Sequence, residues 1–241
     1  MTTLKTLYVA SALVGACALL PVAAFADTGT TKCHGAGIGD TITTIISAGD
    51  CEIANRDAYL QAAETRVNGL QKVSSSTQAS LEATLSASVN SLATIKASLD
   101  ADTSTSTARS DYGSIFNKVR VYALVLPRTW IYAASDREIS IASDLQTIDT
   151  KLTNANSSAS STVQTENAAP LSDLATQISN ITTQAQAAQS TVQGLVPDNG
   201  NGTLKSNTLA LKTAHTALKT IRTDIATALA DIKQIRTNLR M

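Results

Sequence analysis

Aromatic residues make up 3% of this 241-residue chain and charged residues 16%, against about 25% charged in an average soluble protein. A thick core filled by large rings is therefore excluded. Basic and acidic residues are equal in number, 19 each, so no positive field exists to hold nucleic acid or an anionic membrane. Histidine occurs only at His34 and His215, and neither has an acid or nucleophile at a spacing that would make it a general base. The three cysteines give no zinc pattern: Cys33, His34 and Cys51 lack a fourth ligand and a close cysteine pair. No metal and no cofactor are expected. Beyond residue 26 the longest uninterrupted apolar run is "VYALVL", Val121 to Leu126, where a membrane span needs about 20 residues.

The beginning of the chain reads as a cleaved export signal over residues 1–26. Lys5 is the only charge ahead of an apolar run from Leu7 to Leu20, and Ala24-Phe25-Ala26 before Asp27 is a small-x-small cleavage site. A lipoprotein signal acylated at Cys17 is a second reading, although Val14 stands where leucine is usual and apolar residues continue to Ala26. Either way the chain is expected outside the cytoplasm, secreted or held at the cell surface or envelope, with no transmembrane anchor after cleavage. Cleavage at Asp27 leaves 18 basic against 19 acidic residues. In that oxidising setting Cys33 and Cys51 are expected to pair, closing a loop worth about 3 kcal/mol.

From Asp50 onward the apolar residues recur in sevens, with a second row offset by three or four, the spacing of a helical seam. Leu204, Leu211, Leu218, Ile225, Ile232 and Leu239 form one row of the last helix, with Ala214, Ile221, Ala228 and Ile235 beside it. Leu174, Ile181 and Ala188 repeat the pattern in the helix before, Leu85, Leu92 and Leu99 in an earlier one, and Ile53, Leu60 and Val67 in the first. Polar breaks separate them: "KVSSSTQ", "DADTSTST", the long "NANSSASSTVQTENAAP" ending at Pro170 as a first-turn proline, and "VPDNGNGT". The expected fold is all-α, an elongated antiparallel up-and-down bundle of about five helices over residues 50–241. Residues 27–49 read as a flexible leader carrying the disulfide, with "TITTII" (Thr41 to Ile46) the sole strand-like pattern.

"RVYALVLPRTWIYAASDR", Arg120 to Arg137, stands apart from this Ala/Ser/Thr background. The seam before Pro127 and the seam after it are out of phase by one to two residues, which predicts a helix kinked near Pro127 or broken there into two. Tyr122, Leu126 and Trp130, spaced by four, would fill the gap at such a kink. The sharper expectation makes Arg128, Trp130, Tyr132 and Arg137 a partner-binding patch, because Trp, Tyr and Arg dominate interface energies.

This segment and "LVPDNGNGTLKSNTLALKTAHTALKTIRTDI" together resemble a group of secreted helical proteins encoded in Parcubacteria and other candidate-phyla bacteria. The shared features are the signal peptide, an arginine followed by an aromatic-Ala pair and a proline leading into Ala133-Ala134-Ser135-Asp136-Arg137, and the Pro197-Asp198-Asn199-Gly200 turn before the last helix. Over roughly residues 53–240 the resemblance implies export and a common bundle, and it carries no activity.

These observations point to a noncatalytic exported bundle serving as a surface or extracellular structural or interaction module. The alternatives are a membrane-active protein or a small-ligand binder at the kink, with an enzyme last. A protein partner or self-association is expected, the latter through an alanine-rich face such as Gln184 to Gln189.

Overall fold

The computed structural model describes residues 32–37, 39–197 and 202–241; residues 1–26, read above as an export signal, Cys17 among them, and the centre of the "VPDNGNGT" turn lie outside the described residues. Six α-helices occur among those described: α1 Ile42–Asn68, α2 Ser75–Asp100, α3 Thr105–Asn117, α4 Leu126–Ser157, α5 Ser161–Val192 and α6 Leu204–Asn238. A π-helical turn, Val121–Val125, runs directly into α4. The all-α bundle expected from the heptads is present, and no strand forms among the described residues.

Serines set three of the starts. The side chains of Ser74, Ser104 and Ser160 accept from the backbone N–H groups of Thr77, Thr107 and Val163, each satisfying one donor that the first turn leaves unpaired. The cap at Ser160 corrects the reading of Pro170 as a first-turn residue. Helix α5 starts nine residues earlier and carries Pro170 in its interior. The proline removes one intrahelical donor, yet its ring is buried on the face that also buries Asn167 and Leu174, so packing offsets the loss.

The leader is likewise shorter than expected. Thr41 caps α1 by accepting from Thr44 N–H at 3.3 Å, and "TITTII" is helical because Ile45 and Ala48 continue the buried face of Ile53. Cys33 and Cys51 are disulfide-bonded. The bridge holds the segment before α1 against the helix, where Ala36 and Tyr112 pack on a core of Ile45, Leu99 and Ala108. Gly49 is required at this point: a Cβ there would collide with Leu99 Cδ2.

Two antiparallel groups result. In the first, α1 pairs with α2 in opposite directions, tied at the surface by Lys96 to Asp50, while α3 runs parallel to α1. In the second, α5 runs antiparallel to both α4 and α6, since its first turns meet the ends of both and its last turn meets the start of α4. The seams meet as the heptads require: Leu174, Ile181, Ala185 and Ala188 of α5 are buried against Ala214, Ile221, Ala228 and Ile235 of α6. The alanine-rich face from Gln184 to Gln189 is thus occupied within the chain, with Gln184 donating to Asp224 across the helices at 2.8 Å.

Seams so rich in alanine and leucine slide easily, and polar residues fix their register. At one end of the second group, Asn167, fully buried, donates to Asn156 of α4 at 2.9 Å and accepts from Asn238 of α6 at 2.8 Å. One asparagine thereby locks three helices.

The phase slip expected at Pro127 is taken up ahead of it. The chain breaks instead at Arg120, whose backbone is left-handed, φ 50°, ψ 40°, a conformation that costs a non-glycine residue about 1–2 kcal/mol. In the π turn that follows, Leu126 N–H reaches back five residues to Val121 C=O. A π turn holds one extra residue, which absorbs the phase slip between the two seams. Pro127 then sits in the first turn of α4, where a proline is tolerated.

Two substitutions test this packing. Gly49→Ala should destabilise the protein by about 1–3 kcal/mol through overpacking. Asn167→Ala should cost about 1–3 kcal/mol by leaving the amide groups of Asn156 and Asn238 without partners. Urea unfolding followed by circular dichroism measures both.

Candidate functional site

The four residues singled out in the sequence do not share a surface. Arg128 and Tyr132 are interior, 4% and 2% exposed. The Arg128 guanidinium donates to Gln193 C=O at the end of α5 at 2.9 Å and to Thr84 Oγ1 of α2 at 3.4 Å, and it lies 5.9 Å from the Tyr132 ring centre. A cation at a helix C-terminus is favoured by the helix dipole, so Arg128 ties the second helical group to the first. Asp136, one α4 turn beyond Tyr132, accepts from the backbone N–H groups of Gln71 and Lys72 in the α1–α2 connection, making a second tie between the groups. Trp130 is half-buried and packs on His215 of α6, ring centres 5.6 Å apart. Arg137 alone is exposed, near Glu138.

The expected stripe of Tyr122, Leu126 and Trp130 is also divided. Leu126 is buried, but Tyr122 is 43% exposed, because the break at Arg120 and the π turn rotate it away from the α4 seam. It joins a different group of residues. Arg56 of α1 is 4% exposed and occupies a seam position between Ile53 and Leu60. Its charge is balanced by Glu52, one turn earlier, to whose carboxylate it donates and whose carbonyl it reaches at 2.9 Å. The guanidinium lies 4.6 Å from the Phe116 ring centre and 4.8 Å from that of Tyr122, a double cation–π arrangement. Tyr59 meets Tyr122 edge-on at 5.4 Å, and Tyr112 meets Phe116 at 5.2 Å.

Four of the six aromatic residues beyond position 26 therefore gather around one neutralised arginine. Phe116 remains 39% exposed. Elsewhere the outside of the helices is mainly polar, with Leu209 and Val89 the large apolar exceptions among the described residues, and many hydroxyls turn back to the carbonyl four residues earlier, as Thr147 does to Ser143 at 3.1 Å and Thr216 to Lys212 at 2.9 Å. Exposed rings on such a surface form its most adhesive area. Sequence reading missed Arg56, Tyr59 and Phe116 as a group. The available signal was an arginine in the apolar row of α1.

Chemistry elsewhere is sparse among the described residues. His34 is exposed near the disulfide and His215 is exposed on α6, on different helical groups. No group of three or more His, Cys, Asp or Glu is placed to hold a metal ion among the described residues. Burial raises the pKa of Glu138, against the opposing pull of Arg137 and Arg222, and its Oε2 is buried without a hydrogen-bond partner.

The ties and the buried acid each predict a measurable difference. Arg128→Met should lower stability by about 1.5–3 kcal/mol, whereas Arg137→Met should stay within about 0.5 kcal/mol, both read by urea unfolding. For Glu138 the folded-state pKa lies above the ordinary value of 4.5. The folded state then holds the proton more tightly, so its contribution is full below that value and is lost as pH rises through the folded pKa. Glu138→Gln should flatten stability against pH in that window, and an unchanged slope in pH-dependent urea midpoints would contradict the assignment.

Compared with protein-family models, with curated proteins and with solved structures, the chain finds no match.

Proposed function

We propose that this chain is a noncatalytic, exported helical-bundle protein, a structural or interaction module of the cell surface or extracellular space, whose contact area is the aromatic cluster around Arg56. The observation that carries this reading is the contrast between that cluster and its surroundings. In a chain that is 3% aromatic, rings left exposed at one place, with Phe116 39% and Tyr122 43% open, have the composition of an interface centre.

Supporting features are the signal-like first 26 residues, the Cys33–Cys51 bridge, which suits an oxidising compartment, and a surface that depends little on charge. No helix among the described residues is long and apolar enough to cross a membrane. The second helical group lends itself to a spacer: α6 alone, 35 residues, extends about 50 Å.

The test is made on the protein expressed in its own cells. N-terminal sequencing should find a chain beginning at Asp27, and a membrane-impermeant biotin reagent should label it on intact cells. A full-length chain confined to the cytoplasm would sink the proposal.

A further inference from the structure

Helix α3 contains a glycine that its own fold does not use. At Gly49 the neighbouring helix excludes a Cβ, but at Gly113 a Cβ would meet nothing within 4 Å. Glycine inside a helix costs about 1 kcal/mol relative to alanine, and no positive φ accounts for this one. Gly113 is half-exposed and lies one turn before Phe116, so the two are surface neighbours. The Phe116 ring, 39% exposed, leans toward the N-terminal side of its helix, in contact with Tyr112. A bare stretch of backbone and a protruding ring thus stand side by side on one short helix.

We propose that this face of α3 pairs with the same face of a second copy of the chain, Phe116 of each copy seated over Gly113 of the other. A two-fold contact requires a surface that complements itself, each residue meeting its counterpart's partner. A notch and a knob three residues apart meet that requirement with the axis passing between them. Any other partner would have to supply its own ring and its own notch, whereas a second copy carries both. Arg56 contributes no net charge at the patch centre because Glu52 neutralises it, and the mature chain is nearly balanced, 18 basic against 19 acidic residues, so no large net charge holds copies apart. Four partly covered aromatic side chains expose at most a few hundred Å², against about 800 Å² per partner in a standard stable complex. The pairing is therefore weak and concentration-dependent.

This inference rests on the interaction-module reading and names its partner. The experiment is sedimentation velocity on the disulfide-bonded mature chain from about 5 to about 500 µM, a range that brackets micromolar dissociation, with thermal unfolding alongside. The wild-type chain should shift from monomer to dimer. Gly113→Ala keeps the fold and should raise the melting temperature of the monomer by about 1–4 °C while weakening dimerisation at least tenfold. Phe116→Ser should weaken dimerisation as well. A wild-type chain that stays monomeric throughout, or a dimer equally strong in Gly113→Ala and Phe116→Ser, overturns the inference. Either result leaves the export measurements untouched, so the two readings fail separately.

Discussion

The backbone at Arg120 is the constraint on which the arrangement depends. Without the left-handed residue and the π turn behind it, α3 and α4 would be one helix with one seam, and that seam would face either the first group or the second. Turning the chain there lets α3 keep Ala108 and Ile115 against α1 and α2, while α4 directs Leu145 and Leu152 into the second group. The strained φ of a non-glycine residue is held because the segment around it is buried: Val119, Arg120, Val121, Leu124 and Val125 are all nearly inaccessible. The same rotation takes Tyr122 out of the α4 seam and sets it on Arg56. The break in the backbone and the exposed aromatic cluster are thus one event seen at two distances.

Few large side chains lie in the seams, so directionality has to come from elsewhere. Apolar contacts between alanine and leucine rows are nearly as good one heptad out of place, and hydrogen bonds are not. Arg128, Asp136 and Asn167 each join elements that the heptads alone would leave free to slide. They sit at the joint between groups and at the far end of the second group, with uninterrupted Leu, Ile and Ala rows in between. Helix association is supplied by the apolar rows, and the choice of one alignment by the polar contacts.

The periodic part of this organisation was legible in the sequence because burial follows helical period wherever a helix is long. The rows of α2, α5 and α6 lie where the sevens put them. Boundaries were less legible. At Pro170 and in "TITTII", local propensity argued for a break and for a strand, and packing of Asn167, Pro170 and Ile45 prevailed. The aromatic segment drew attention correctly, but its residues were sorted by position along the chain rather than by the face they occupy. A left-handed residue has no sequence signature when it is an arginine, so the rotation that buries Arg128 and exposes Tyr122 was hidden. Arg56 stood in plain view in an apolar row; its stacking partners were not readable, because they lie sixty residues or more away.

The bridge between Cys33 and Cys51 also has a mechanical meaning. For a chain held by anything attached ahead of Cys33, tension does not travel along residues 34–50. It passes through the covalent bond and enters α1 at Cys51, beside buried Ile53 and Arg56. The cap at Thr41, the first turns of α1 and the close contact at Gly49 are bypassed. A pull that would otherwise peel the helix from its end must instead act on its middle, where α1 is packed against the rest of the first group.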